Sequence, residues 1–169
     1  MNCAAICLAL GLTLTSSQQL GFDSPYLGAV ASIEARSSEY IGMIDLEWQN
    51  AAKLDTGDGH GQNLQVLVGI EQGKLDILVG GSASIIQTSK YEKSAVAPLV
   101  ELGYRFNPMR VAVFYSESQD KRVGKVYGAR ASTNTRLKVE LKYEHVEYES
   151  FFWVPHTGDI VRVSYKWVF

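Results

Sequence analysis

The chain has 169 residues, a formal net charge of −2, 46% hydrophobic residues and 20% charged residues. That length is one domain. So even a balance, with no Lys/Arg run, excludes a nucleic-acid binder built on a basic face. Fifteen glycines and nine tyrosines against four prolines suit long strands joined by tight turns.

Residues 4–14 carry no charge and are too few to cross a bilayer as a helix. With the small residues Thr15, Ser16 and Ser17 behind them they read as a signal peptide, residues 1–17, although no Lys or Arg precedes the apolar stretch. Cys3 and Cys7 both fall inside it, so the rest of the chain is expected to lack a disulfide, a thiolate nucleophile or a Cys-bound metal. Residues 18–39 follow. Pro25-Tyr26-Leu27-Gly28-Ala29-Val30 has the look of a strand, but it would be a ninth, and bacterial membrane barrels have an even number. The segment is therefore read as an N-terminal extension or an extra strand, ahead of a barrel spanning 40–169.

From residue 40 the chain alternates with a period of two, the signature of half-buried strands. Ile44, Leu46 and Trp48 oppose Asp45, Glu47 and Gln49. Leu64, Val66, Val68 and Ile70 oppose Gln65, Gly69 and Glu71. The same holds for Leu75, Ile77 and Val79 against Asp76 and Gly80, and for Val100, Leu102, Tyr104 and Phe106 against Glu101, Gly103 and Arg105. Val111, Val113 and Tyr115 face away from Arg110 and Ala112; Tyr127 and Ala129 face away from Gly128 and Arg130. Clearest is Leu137, Val139, Leu141 and Tyr143 against Lys138, Glu140, Lys142 and Glu144. The last strand sets Val161, Val163, Tyr165, Trp167 and Phe169 against Arg162, Ser164 and Lys166.

These are eight predicted strands. Tight turns are expected at Gln72-Gly73, Asn107-Pro108 and Asn134, with longer connections at 54–62, 90–95, 118–123 and 151–158. The fold class is all-β, a closed antiparallel up-and-down transmembrane barrel, since strands cross a bilayer only when their hydrogen bonds close on themselves.

The polar face carries both signs: Asp45, Glu47, Glu71, Asp76, Glu101, Glu140 and Glu144 against Arg105, Arg110, Arg130, Lys138, Lys142, Arg162 and Lys166. A narrow barrel has an interior that side chains fill, and a lone buried ion costs several kcal/mol. A paired charge ladder plugging the lumen is the expectation. Trp48, Tyr104, Phe106, Tyr143, Tyr165, Trp167 and Phe169 form the predicted aromatic girdle. The same alternation turned inside out would describe a soluble, lipocalin-like barrel around an apolar ligand, which is the alternative if the apolar face lines a cavity.

The terminal strand, apolar and aromatic on one face and ending on Phe169, resembles the closing strand of bacterial outer-membrane barrels. From residue 40 onward the chain resembles the small eight-stranded outer-membrane proteins of the OmpX and OmpA-barrel type. The resemblance implies export, insertion by the barrel assembly machinery, and residence in the outer membrane of a Gram-negative bacterium among lipid and lipopolysaccharide. It implies a non-enzymatic wall whose loops serve a surface partner or envelope integrity. Phe151, Phe152 and Trp153 are the candidate loop contact, and Lys90, Lys93, Lys121 and Arg122 could meet lipopolysaccharide phosphates.

A weaker resemblance links His145-Val146-Glu147 to the His-x-Ser motif of lipid A 3-O-deacylase barrels. Glu147 stands where the nucleophilic Ser belongs, so a lipid A-modifying hydrolase using His145 and Glu147 is an alternative only; Ser150 does not replace that Ser, and His156 and Asp159 follow in the next loop. The stretch Asp55-Thr56-Gly57-Asp58-Gly59-His60-Gly61 has oxygen and imidazole groups but not the spacing or closing Glu of a calcium loop. No metal and no cofactor is expected.

Overall fold

The computed structural model describes residues 5–17, 26–54, 57–88, 92–119, 124–149 and 155–169. They form ten strands: β1 (Ala5–Ser17), β2 (Tyr26–Arg36), β3 (Tyr40–Leu54), β4 (Gly57–Gln72), β5 (Leu75–Thr88), β6 (Glu92–Phe106), β7 (Met109–Glu117), β8 (Lys125–Thr133), β9 (Leu137–Glu149) and β10 (Pro155–Val168). Each pairs antiparallel with its neighbours in sequence, and β1 pairs with β10, so the sheet closes into an up-and-down barrel. Closure leaves no edge strand, so no row of backbone donors and acceptors goes unsatisfied.

The strand count is ten, not the expected eight. Alternation is legible where charged residues oppose apolar ones, and β1 and the first half of β2 show little of that contrast. β1 puts Ala9, Gly11, Thr13 and Thr15 inward and Leu8, Leu10, Leu12 and Leu14 outward. Its only polar inward groups are hydroxyls, so it reads as an apolar run. The residues read as a signal peptide thus form β1, and the 18–39 segment contains β2. β1 is paired along most of its length on both sides, from Ala9↔Val168 to Ser17↔Ile160 and from Ala5↔Arg36 to Thr15↔Tyr26.

Three of the expected long connections are shorter, because strands run into them: β4 begins at Gly57, β6 at Glu92 and β10 at Pro155. The expected turns fall at 73–74, 107–108 and 134–136, joined by a fourth at 37–39. Gly73 carries a φ of 65°, a conformation that costs an L residue but not glycine. β1 begins and β10 ends at this short-turn end, where the Phe169 N–H donates to the Leu8 carbonyl at 2.9 Å.

Candidate functional site

The register fixes two faces. Outward lie Leu8, Leu10, Leu12, Leu14, Ile44, Leu46, Val66, Val68, Ile77, Val79, Val100, Leu102, Val113 and Leu141, all exposed. An exposed apolar surface that runs round a whole molecule is far larger than the few hundred Å² of contiguous patch usual for a soluble monomer. Every girdle residue named from the sequence points outward: Trp48, Tyr104, Phe106, Tyr143, Tyr165, Trp167 (57% exposed) and Phe169 (76% exposed). Tyr40, Tyr115 and Tyr127 join them. Tyr104, Phe106, Trp167 and Phe169 sit near the short-turn end; Trp48, Tyr115, Tyr127 and Tyr143 sit toward the other.

Inward lie all fourteen charges of the expected ladder, together with Glu34 and Arg36 of β2, which the sequence reading missed by treating that segment as an extension. Parity was the signal: Val30, Ser32, Glu34 and Arg36 alternate with Ala29, Ala31, Ile33 and Ala35.

The charges form two chains of ion pairs. At the short-turn end Lys138 meets Glu34 at 3.5 Å, and Glu34 pairs with Arg36. Arg36 and Arg105 share Glu71 at 3.3 and 2.9 Å. Arg105 also approaches Asp76, which holds Arg110 through Nε at 2.9 Å and through a second contact from Nη2. Glu101, with 0% exposure, sits between Arg110 at 2.8 Å and Arg130 at 2.5 Å. These two contacts are close but not aligned as hydrogen bonds, so Coulomb attraction holds them.

Arg130 continues to Asp45 at 3.4 Å, and Asp45 to Lys166 at 3.6 Å. Lys166 is 1% exposed. It donates to Ser32 at 3.0 Å and reaches Glu140 at 3.5 Å. Toward the other end Lys142 pairs with Glu144 at 2.9 Å, Glu144 with Arg162, and Arg162 with Glu47 at 3.6 Å. β1 contributes hydroxyls: Ser164 donates to Thr13, and Thr13 to Glu47.

Beside the ion pairs lies an apolar cluster. Ile41, Met43, Leu67, Leu78, Leu99 and Phe114 pack together along β3 to β7. Phe114 bridges to the charged side, its ring lying 5.0 Å from the Lys142 ammonium and 6.0 Å from the Arg130 guanidinium. Gly103 faces inward where a Cβ would overlap Asp76 and Arg110. A void among Asp45, Gln65, Arg130, Glu140, Arg162 and Lys166 measures about 20 Å³, room for about one water. The soluble-barrel alternative needs an apolar cavity, and this lumen holds ion pairs and a packed cluster instead.

His145 and Glu147 are on the outward face of β9, near its upper end. His145 Nδ1 lies 2.8 Å from Asp159, whose same oxygen accepts from the Tyr143 hydroxyl at 2.6 Å. Tyr127 donates to Glu147 at 3.1 Å, and its ring centre is 5.0 Å from that of His145. Phe151, Phe152, Trp153, Ser150, Lys90, Lys121, Arg122, Asp55 and Thr56 lie outside the described residues, as do the side chains of Asp58, His60, Lys93 and His156.

No protein-family model matches the chain. No curated protein matches it either. Among solved structures it is similar to Neisserial surface protein A, at 6% identity over 98% of this chain and 99% of that one, with a TM-score of 0.45. It is also similar to Ail, the attachment invasion locus protein of Yersinia pestis, at 11% identity over 99% and 100% of the two chains, with a TM-score of 0.38. At those scores neither likeness bears on what this chain does.

Proposed function

We propose that this protein is an integral barrel of a bacterial outer membrane, with a side-chain-filled lumen and no enzymatic activity, serving envelope integrity or contact through its connections. The observation that carries the reading is the outward apolar face, continuous around the described strands and bounded by aromatic residues at both ends. Water would leave that surface unsatisfied, and lipid matches it. The strands, nine to sixteen residues long, meet the nine to eleven needed to cross a hydrocarbon core. Export, insertion by the barrel assembly machinery and lipopolysaccharide as a neighbour follow from this reading.

The chains of ion pairs support a plug rather than a pore. An open channel would need water between the walls, and Arg130, Glu101 and Lys166 fill the middle. We further propose that β1 stays in the finished barrel. Without it β10 and β2, which run in the same direction, would face each other across the seam.

The hydrolase alternative asks for a hydroxyl on His145. Its contacts are a carboxylate and a tyrosine ring, and position 147 is Glu. The deciding experiment is detergent extraction followed by electrophoresis with and without boiling. A folded membrane barrel migrates faster unheated and shifts on heating. A chain recovered in the soluble fraction, with no shift, would overturn the reading.

A further inference from the structure

The outward apolar surface climbs further on one side of the barrel than on the other. β6 and β7 leave the same turn at 107–108, so residues equally far from it stand level with one another. Along β6 the outward side chains run from Phe106 through Leu102 and Val100 to Val96, and along β5 from Leu75 through Val79 to Ile85. No charged side chain points outward along either run. Along β7 the run Met109, Val111, Val113 and Tyr115 stops at Glu117. It stops at Lys125 above Tyr127 on β8, at His145 above Tyr143 on β9 and at Asp159 above Val161 on β10.

With a rise of about 3.4 Å per residue and a strand tilt of about 40°, Phe106 to Val96 climbs roughly 25 Å and Met109 to Tyr115 roughly 15 Å. The taller run matches the apolar band of a membrane barrel, about 25 Å. The shorter one falls roughly 10 Å below it at the long-connection end.

The register makes the low edge continuous. Tyr115↔Tyr127↔His145↔Asp159 are neighbours across four strands, and Glu117↔Lys125↔Glu147 form the row above. Each tyrosine hydroxyl donates upward to a carboxylate: Tyr115 to Glu117, Tyr127 to Glu147, Tyr143 to Asp159. A charge of either sign stays out of hydrocarbon, so these rows mark where the hydrocarbon ends. Below them Val111, Val113, Ala129 and Ala131 floor a trough of about 360 Å³. Liquid hydrocarbon keeps its volume, so a leaflet that thins must spread sideways, and the trough gives it room.

We propose that the bilayer is thinner beside β7–β10 than beside β5 and β6, and that the low side gathers lipid with short acyl chains. A bilayer meets a short apolar belt by thinning, at a cost that rises with each ångström of mismatch, and short chains lower that cost. The proposal rests on the membrane reading above. In that reading the leaflet at the long-connection end is lipopolysaccharide, so the chains meeting the low edge are those of its lipid anchor.

The test uses the full chain in vesicles of equal parts dilauroyl and dioleoyl phosphatidylcholine, which differ in chain length, with the longer lipid brominated so that it quenches tryptophan. Trp48, Trp153 and Trp167 are replaced by Phe, and one tryptophan is placed at Leu141→Trp on the low side or Val79→Trp on the high side. Both positions stand equally far above their turns, and both are exposed. The Leu141→Trp probe is expected to be quenched less, corresponding to about a threefold preference for the short lipid relative to the Val79→Trp probe.

Two rim variants act in opposite directions. Glu117→Leu, Lys125→Leu, His145→Leu and Glu147→Leu together raise the low edge and should bring the Leu141→Trp probe to the value of the other. Ile85→Lys with Val96→Lys lowers the high edge and should bring the Val79→Trp probe down instead. Equal quenching of the two probes before the rim is changed would overturn the proposal, since it means a level bilayer or a tilted barrel. So would a Leu141→Trp probe that no lipid quenches, which means a second chain covers it, or a difference that neither rim variant moves. The heating shift is read on every sample. Its absence from the unmodified protein would sink the membrane reading itself, whereas a shifting protein with equal probes sinks only the thinning.

Discussion

Along β9, Lys138, Glu140, Lys142 and Glu144 turn into the lumen, while Leu137, Val139, Leu141 and Tyr143 turn away from it. The backbone is shared and the two faces obey opposite rules. Inside, a charge is tolerated because another charge is within about 4 Å of it, and removing one strands its partner. Outside, methyl and ring carbons are stable only against hydrocarbon, and a new charge must be solvated by whatever surrounds it. The wall is therefore two-sided by chemistry, and mutations on its two faces should fail for different reasons.

The most damaging change removes both faces of one strand. Deleting residues 1–17 takes away β1, and a chain so shortened is expected to lose the heat-sensitive fast band and to be degraded or aggregated. If it folds as well as the full chain, β1 is dispensable. The companion measurement is the mass of the folded protein from membranes, which is expected to include residues 5–17.

Next comes the inward face. Arg130→Met leaves Glu101 with Arg110 alone and Asp45 with Lys166 alone. It is expected to cost about 3–5 kcal/mol in urea unfolding followed by tryptophan fluorescence. Adding Glu101→Leu removes the stranded acid and is expected to recover much of the loss. If the single variant is neutral, the chains of ion pairs are not holding the lumen together.

The outward face is next in size. Val113→Arg puts a cation among Ala129, Tyr115 and Val111, and in a bilayer it is expected to cost about 2–4 kcal/mol, the figure for Arg near the midplane of a membrane barrel. If water wets that face, the same variant costs almost nothing and improves solubility, which makes this the sharpest single test of what surrounds the wall.

The smallest effect is expected at the rim. His145→Ala loses one contact to Asp159, which keeps its hydrogen bond from Tyr143, so the unfolding midpoint should not move. Lipid A from cells carrying this variant should match that from cells with the unmodified chain. A difference would revive the hydrolase alternative.

Period-two alternation from Tyr40 onward determined the all-β class, the inward position of the fourteen charges and the outward position of the seven girdle aromatics. Those follow from strand geometry, in which successive side chains point to opposite sides whatever the strand pairs with. The contrast is weak in β1 and the first half of β2, where Ala9, Gly11, Thr13, Thr15, Gly28 and Ser32 take the inward places that charges hold elsewhere.

Only the closed sheet decided the strand count, because evenness is a property of the ring and not of any segment. Closure also brought residues far apart in sequence into contact, as with Lys166 on Ser32 and Arg130 on Asp45. The row of Tyr115, Tyr127, His145 and Asp159 needed the register of four strands to become a row at all. Cross-strand neighbours depend on where each turn sets the pairing, and that information is spread over the whole barrel.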